Sequence, residues 1–416
     1  MPIIDRLMRP VLARFLDSIS STQAATTYQT SSGQTVTSQT PFELVAVRAA
    51  INVLAQDVAA LPLKLYRHDG RSREEVITNP LATVLRYQPN PRMSAYEWRE
   101  ALMVSLLIRG NAYGYIQRDG DGRCEAIYPL RPEQMKVELD PQGLLTYTYQ
   151  PLNPDIPEKT FTQSEMLHVK GLSSDGLVGR APLTDFREKL GEIAATERFT
   201  QAFYGNGMKR SAVLKHKGHI SDDAHRRLRE SMEKKSGADK AFSVLILEED
   251  MDFNELTFAP EDAQLLDSRR FSVEDVCRIY NLPPYKLRLN EPGAVSYASV
   301  DSQRIDYLIS SLTPWLVRIE QGIMRCCMTA PDVQEGLFVE HNTRALLRSD
   351  LKSQAEALEI GRRNNWYSVN ECRAHLGENP VEDPRADDVF AATGTPGSKS
   401  FGDAEDNIPD EAPPVE

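Results

Sequence analysis

Two pairs of alternating segments, each divided by a turn sequence, constrain the fold of this chain more than any other feature. AYGYIQRD (112–119) runs into the turn sequence DGDG (119–122), and CEAIYPL (124–130) comes after the turn. MKVELD (135–140) and LLTYTYQ (144–150) repeat the arrangement around a second turn. Strand-like segments on both sides of a short Gly-containing turn are typical of β-hairpins. The sequence therefore predicts an antiparallel sheet in the first half of the chain.

Helical segments flank this predicted sheet. In residues 42–60, apolar side chains recur at helical spacing. Ser94 and Glu97 have the spacing of a capping box at the start of a helix that Gly110 terminates. Helices combined with antiparallel strands predict an α+β fold for residues 41–180.

Long helices are expected in the second half of the chain. Helices from Thr184 to Tyr204 and from Pro260 to Tyr280 enclose an insertion of strands around one helix. A further helix should run from about Ser296 to Met328, with Pro314 inside it. Because proline lacks a backbone N–H, this helix should kink or break at Pro314.

Within that last helix, apolar residues recur every three or four positions and predict a buried stripe with Trp315 in the core. Two short helices are expected in residues 349–376, the second capped by Ser368. Residues 18–40 are rich in Ser, Thr and Gln, so we expect a flexible arm. The acidic, Pro- and Gly-rich tail after Asn379 is expected to be disordered.

The charge, the cysteines and the hydropathy argue against several classes of protein. The net charge is −12, whereas a protein that grips duplex DNA tightly is expected to be basic. The charge still allows a conduit through which DNA slides. The five cysteines have no C-x-x-C spacing, which favours reduced thiols and no metal site. No apolar stretch reaches the roughly 18 residues that a membrane-spanning helix needs.

An enzyme is the first alternative, and its expected motifs are missing. The sequence has neither the G-x-x-x-x-G-K-[ST] loop nor the G-x-S-x-G elbow. Acidic residues at 248–250 and 252 could hold Mg²⁺, but a solvated turn between strands is the preferred interpretation. We therefore expect no catalytic residues, no cofactor and no metal.

The order of segments along the chain resembles the portal proteins of HK97-type tailed bacteriophages. No single segment is a chemical motif; the resemblance lies in their collinear order. It is carried by residues 46–66, 79–119, 168–183, 203–214 (FYGNGMKRSAVL), 258–287, 306–321 (DYLISSLTPWLVRIEQ) and, more loosely, 368–383.

The resemblance implies an elongated α+β subunit of a dodecameric ring around a central channel. The implied parts are a wing, a helical stem, a small α/β clip, a tunnel loop and a helical crown. Their order is a flexible arm (1–40), wing (41–183), first stem helix (184–207), clip (208–258), second stem helix (259–284), tunnel loop region (285–300), the rest of the wing with the long kinked helix (301–348), crown (349–379) and disordered acidic tail (380–416).

Two groups of candidate site residues follow from the resemblance. The tunnel loop would touch DNA through Asn290, Glu291, Gly293, Ser296 and Tyr297. The alternative is an ordinary surface connection between two helices. The clip would contact partners through basic residues of its helix, which are Arg226, Arg227, Arg229, Lys234 and Lys235. The alternative is a solvated helix with pairs such as Arg226 with Glu230.

The resemblance also implies the partners. These are further copies of the chain, the terminase large subunit, a head–tail adaptor, the major capsid protein or scaffold, and double-stranded DNA bound without sequence specificity. The protein would lie at one vertex of the virion capsid after assembly in the host cytoplasm. Twelve copies at −12 would carry about −144, which repels the DNA backbone. The alternative is another viral assembly or adaptor protein without a DNA channel.

Overall fold

In a computed structural model, the chain divides into two compact units, residues 1–343 and 344–416. The structure describes residues 27–68, 73–153, 157–205, 212–215, 223, 226, 252–255, 262–289, 297–343, 351–376 and 378–389.

The first unit mixes helices with short antiparallel strands, as the sequence predicted. Its helices are α1 Thr40–Glu43, α2 Val45–Ala60, α3 Pro80–Arg86, α4 Ala95–Arg109, α5 Pro182–Asp185, α6 Arg187–Gly205, α7 Asp262–Tyr280, α8 Tyr297–Asp306, α9 Thr313–Cys327 and α10 Ala330–Gln334. Its strands are β1 Tyr28–Gln29, β2 Thr35–Val36, β3 Leu63–His68, β4 Arg73–Glu75, β5 Asn111–Arg118, β6 Cys124–Leu130, β7 Met135–Leu139, β8 Leu145–Tyr149, β9 Lys159–Phe161, β10 Met166–Lys170, β11 Ala212–Lys215, β12 Asp252–Glu255 and β13 Leu337–His341.

Three three-stranded antiparallel sheets form the framework, in the orders β10-β5-β6, β7-β8-β9 and β13-β3-β4. Both predicted hairpins are present, because β5 pairs with β6 and β7 pairs with β8. Side chains from the first two sheets share one core, in which Tyr113, Tyr147 and Phe161 are buried. Helices α2 and α4 pack against each other beside these sheets and bury their apolar faces.

Capping signals set the ends of α4 as expected. The Ser94 backbone N–H and hydroxyl donate to the Glu97 carboxylate at 2.7 and 2.9 Å, and the Glu97 N–H donates to the Ser94 hydroxyl at 3.3 Å. Gly110 ends the helix in the left-handed region, with φ of 68°. The predicted capping box and helix end are therefore confirmed.

One buried arginine joins the ends of two helices. The Arg99 guanidinium donates to the carbonyl of Ala59 at 3.0 and 2.7 Å and to the carbonyl of Leu85 at 3.1 Å. Carbonyls in the last turn of a helix have no intrahelical donor and carry partial negative charge. One cation on α4 thus satisfies the ends of α2 and α3 and fixes the three helices together.

Three glycines lie at a close crossing where β5 begins, β10 ends and the following connection passes. A Cβ on Gly110 would lie 1.8 Å from the carbonyl oxygen of Arg180, and one on Gly179 would lie 1.9 Å from the carbonyl oxygen of Gly110. The Gly171 N–H donates to that same Gly110 carbonyl at 2.7 Å. At positions 110 and 179, only glycine lets the backbones approach this closely.

A buried polar network fixes the same crossing. His168 is 1% exposed, and its Nε2 lies 3.0 Å from the Asn111 Oδ1, while its Nδ1 lies 3.2 Å from the Tyr147 hydroxyl. Because Asn111 Oδ1 can only accept, the Nε2 carries the proton and Nδ1 accepts from Tyr147. The Asn111 side chain also accepts from the Gly179 N–H and donates to the Gly179 carbonyl, both at 2.7 Å. Burial lowers the pKa of His168 to about 3, so the ring is neutral.

The long helix after residue 296 changes its winding in the middle. Helix α8 continues through a π-helical turn, Tyr307–Leu312, into α9, where Pro314 is the second residue. The prediction that Trp315 lies in the core is wrong, because Trp315 is half-buried and Leu316 is buried instead. Leu312, Leu316 and Ile319 recur at intervals of four and three residues and form the buried stripe, and Trp315 lies beside it.

The start of the described chain is more ordered than the predicted flexible arm. Strands β1 and β2 form a hairpin whose Ser31 N–H and hydroxyl donate to the Glu188 carboxylate of α6 at 2.9 and 2.7 Å. The Tyr28 hydroxyl lies 3.1 Å from that of Thr184. Residues 27–36 are therefore held against α6 by side-chain hydrogen bonds that the Ser- and Thr-rich composition supplies.

The second unit contains α11 Leu351–Arg363 and α12 Val369–Leu376, so the two predicted helices are confirmed. The Glu371 N–H donates to the Ser368 hydroxyl at 3.1 Å, which is the predicted cap. Residues 380–389 differ from the predicted disorder, since the Val381 N–H donates to Asn370 at 2.8 Å and Arg362 donates to the Val389 carbonyl at 2.7 Å. In neither unit is any described helix both long and apolar enough to cross a membrane.

Candidate functional site

The candidate site is the place where the chain leaves α7 and returns in α8. Residues 281–289 and 297–312 form it, and we call it the loop junction. Helix α7 ends at Tyr280, and Asn281 follows in the left-handed region with φ of 50°. A short 3-10 turn, Pro284–Leu287, follows. Proline restricts its own backbone and that of the preceding residue, so Pro283 and Pro284 end the α-helix here.

One carboxylate of α2 holds both arms of the loop junction. Asp57 Oδ2 accepts from the Lys286 ammonium at 3.0 Å and from the Tyr307 hydroxyl at 2.7 Å. The Lys286 ammonium also lies 3.9 Å from the centre of the Tyr307 ring, where the ring quadrupole attracts it. Burial and the neighbouring Asp57 charge raise the pKa of Tyr307, so its hydroxyl stays a donor.

A second pair of contacts lies one turn further along the long helix. The Asn281 side-chain amide donates to the Ser310 carbonyl at 2.8 Å, and the Ser311 hydroxyl donates to the Asn281 carbonyl at 2.6 Å. In a regular α-helix, the N–H of residue 314 would serve the Ser310 carbonyl. Pro314 has no N–H, and the Asn281 amide therefore takes the place of the missing donor.

A third contact and a groove complete the site. The Tyr285 hydroxyl donates to the Gln303 carbonyl of α8 at 3.1 Å. A groove of about 490 Å³ runs beside the loop junction and is lined by residues of α7, of the turn after it, of the end of α8 and of the π turn. Its lining contains both acidic and basic side chains, among them Arg270, Glu274 and Asp306. The groove thus has no single sign of charge.

The tunnel-loop residues predicted from the sequence lie at the edge of this site. Tyr297 is the first residue of α8, and its side chain lies outside the described part of the structure. Asn290, Glu291, Gly293 and Ser296 also lie outside the described residues. Their predicted role in touching DNA stays a prediction.

Little of the predicted basic patch lies within the described residues. Arg226 is helical and exposed, and its guanidinium lies 2.8 Å from the Asp223 carboxylate. Arg227, Arg229, Lys234 and Lys235 lie outside the described residues. Strands β11 and β12 of the same insertion pair with each other, whereas the predicted strand at 241–249 lies outside the described residues.

Pro314 was predicted to mark a kink, and that kink stays a prediction. What the structure has beside it is the π turn, in which the Thr313 N–H bonds the Leu308 carbonyl five residues earlier. The Thr313 hydroxyl bonds that carbonyl as well, at 2.8 Å. The hydrogen-bonding register of the helix thus changes directly before the proline.

Sequence reasoning missed Asp57, Lys286, Tyr307 and Asn281. Two signals for them exist in the sequence. Asn281 directly precedes Leu-Pro-Pro, and asparagine is favoured where a helix ends in the left-handed region. Asp57 is the single charged residue in the stretch AINVLAQDVAA of α2. No group of three or more His, Cys, Asp or Glu side chains within the described ranges is arranged to hold a metal ion.

Comparisons with known proteins agree on one family. The family model described as "Phage portal protein" matches residues 45–377. The portal protein of Enterobacteria phage HK97 is 29% identical over 335 residues, which cover 80% of this chain and 78% of that protein. The probable portal protein of Streptomyces phage phiC31 is 29% identical over 362 residues, covering 85% of this chain and 78% of the relative.

Solved structures share the fold. An HK97-family phage portal protein from Corynebacterium diphtheriae matches with a TM-score of 0.56 at 18% identity, covering 74% of this chain and 97% of that one. A chain in the neck of a native gene transfer agent particle, computed with C12 symmetry, matches with a TM-score of 0.51 at 19% identity and covers 82% of this chain and 92% of its own length. With the match to the family model, these findings show that the chain belongs to the phage portal protein family.

Proposed function

We propose that this protein is one subunit of a ring at a capsid vertex, through which viral DNA is packaged and later ejected. The observation that carries the proposal is the family match over residues 45–377, which spans α6, α7, the loop junction, α11 and α12. The neck structure with C12 symmetry supports a ring of twelve copies. The protein would act structurally, and the energy for packaging would come from a separate motor ATPase.

The described elements support a division of labour within the subunit. The sheets and helices α1–α4, with the long helix, would form the wing; α6 and α7 would form the stem; α11 and α12 would form the crown. The loop that joins α7 to α8 would reach the channel and touch DNA without reading its sequence. The clip between the stem helices would dock the terminase large subunit and the head–tail adaptor, and the wing would face the capsid protein or scaffold.

Deleting residues 290–299 tests the channel role of the loop. Rings of the deletion variant should form normally, as seen by negative-stain microscopy, because the Asp57 contacts outside the deletion remain. Particles assembled with these rings should package or retain less DNA than wild-type particles. A matched control replaces residues 290–299 with a Gly-Ser segment of equal length. Normal DNA content in particles carrying either variant would contradict the proposal.

Charge reversal tests the clip. Changing Arg226, Arg227 and Arg229 to Glu should weaken binding of the motor or adaptor in a pull-down, while the ring survives. Reversing Lys136, an exposed residue of β7, provides a control with no expected effect on docking. Unchanged binding by the triple variant would reject the role of these clip residues in docking. A purified protein that never forms a ring with a pore would instead favour the alternative, an assembly protein without a channel.

A further inference from the structure

We infer that Asp57, Lys286 and Tyr307, together with Asn281 and the Ser310 carbonyl, are positioning residues that set the spacing of the two chain arms on either side of residues 290–296. The inference rests on the proposed function, in which those seven residues reach the channel. It concerns only described side chains of the loop junction, and none of them would have to touch DNA.

The first support is the number of elements that meet at one carboxylate. Asp57 lies on α2, Lys286 lies on the arm that leaves α7, and Tyr307 lies on the arm that returns. Each pair among the three is in contact, at 3.0, 2.7 and 3.9 Å. Tyr307 is 3% exposed, and the side chains of Lys286 and Asp57 are 26% and 27% exposed. Partial removal from water strengthens such charge-assisted contacts above those of an exposed pair.

The second support is the missing donor at Pro314. Any other residue at position 314 has a backbone N–H, which could donate to the Ser310 carbonyl within the long helix. The Asn281 amide would then lose this acceptor. Proline makes that carbonyl available, and the Asn281 amide bonds it at 2.8 Å. The Ser311 hydroxyl returns a bond to the Asn281 carbonyl at 2.6 Å. The proline inside the helix therefore ties the end of α7 to the π turn.

These contacts leave the two arms little freedom relative to each other. The Tyr285 hydroxyl adds a third tie, to Gln303 of α8. All three ties lie outside residues 290–296, so they persist whatever those residues contact. A force on those residues would be passed through Asp57 to α2, a helix whose apolar face is buried in the core.

Hydrogen exchange of the purified full-length protein tests the Asp57 contacts. Asp57→Asn removes the charge and keeps the shape, and Tyr307→Phe removes only the hydroxyl. Both should speed exchange in peptides covering 281–289 and 297–312 by about tenfold and leave the β5–β6 hairpin unchanged. Asp306→Asn, at an exposed carboxylate next to Tyr307, is the matched control and should change exchange less than about twofold. Unchanged exchange in both test variants overturns the inference.

A double-mutant cycle tests the role of Pro314. Asn281→Ala should speed exchange of residues 303–311 severalfold when Pro314 is present. In a Pro314→Ala background the restored N–H competes for the Ser310 carbonyl, so the same change should have little effect. An equal effect in both backgrounds overturns this half of the inference. Hydrogen exchange is measured without DNA, so it tests the positioning role separately from the channel role. Faster exchange in the two arms together with normal DNA retention would support the positioning role and count against the channel role of the loop.

Discussion

At the scale of single residues, three glycines illustrate two distinct physical reasons why a position requires glycine. Gly110 has a positive φ of 68° and no room for a Cβ, Gly179 only lacks room, and Gly122 has a positive φ of 82° with open space around it. A Cβ that meets backbone cannot be relieved by turning a side chain, so the cost of crowding should exceed the cost of the dihedral angle.

Alanine substitutions should rank these three sites. Gly122→Ala should lower the free energy of unfolding by about 1–2 kcal/mol, the cost of a left-handed angle. Gly179→Ala and Gly110→Ala should each cost more, about 3 kcal/mol or above, because backbones must move apart. Urea unfolding of the three variants measures the order. A Gly122 variant as unstable as the Gly110 variant would contradict the importance of the crossing.

His168 makes stability depend on pH with a definite sign. Its pKa is near 3 in the folded protein and near 6.5 when unfolded, so between these values only the unfolded chain binds the proton. Stability is therefore full above about pH 6.5 and falls as the pH drops, by at most about 1.4 kcal/mol per unit for this residue. Urea unfolding at pH 7, 5.5 and 4 measures the slope. The His168→Gln variant should be less stable at pH 7, but its free energy of unfolding should change less with pH. If it changes with pH as much as that of the wild type, the pH dependence comes from other residues.

At the scale of elements, the sequence predicted most features whose hydrogen bonds join residues close together in the chain. The capping box at Ser94, the end of α4 at Gly110, and both hairpins follow from turn and cap chemistry within a few residues. The contacts between Asn281 and the π turn could not be predicted, because Asn281 belongs to another element of the chain. The role of Asp57 was hidden for the same reason, since its partners lie more than two hundred positions away.

Helix α4 offers a matched test of its cap. Ser94→Ala removes the hydroxyl that accepts from the Glu97 N–H and should lower the free energy of unfolding by about 1 kcal/mol. Ser105 lies in the interior of the same helix, where its hydroxyl bonds the Ala101 carbonyl. Ser105→Ala should cost nothing or stabilise slightly, because alanine is the better helix former. Thermal unfolding compares the two, and equal losses would contradict a capping role.

At the scale of the whole molecule, the negative charge is unevenly distributed. Residues 390–416 contain six Asp and Glu against one Lys, which is −5 of the total of −12 and leaves −7 for residues 1–389. The repulsion of DNA that the total charge suggests thus depends to a large extent on the tail. In a ring of twelve copies, removing the tail would reduce the net charge from about −144 to about −84.

Ending the chain after Val389 tests this dependence and keeps the Arg362 contact to the Val389 carbonyl. Rings of the shortened protein should bind duplex DNA at least about threefold more tightly at 50 mM salt, and the difference should shrink at 200 mM salt through screening. A full-length control with the six acidic residues changed to Asn or Gln should behave like the shortened protein. Equal affinity for all three proteins would show that the tail charge does not act on DNA.

The extra residue in the π turn has a consequence for how this helix tolerates change. Deleting one residue from 307–312 would let the segment rewind as an ordinary α-helix, and every later side chain would rotate by about 100° around the axis. Ile319 and Ile323 would then swing out of the core. Insertions and deletions should therefore be far more harmful here than substitutions. The extra residue sets how the second half of the helix is rotated relative to the first, so that each half turns its apolar side chains toward its own neighbours in the core.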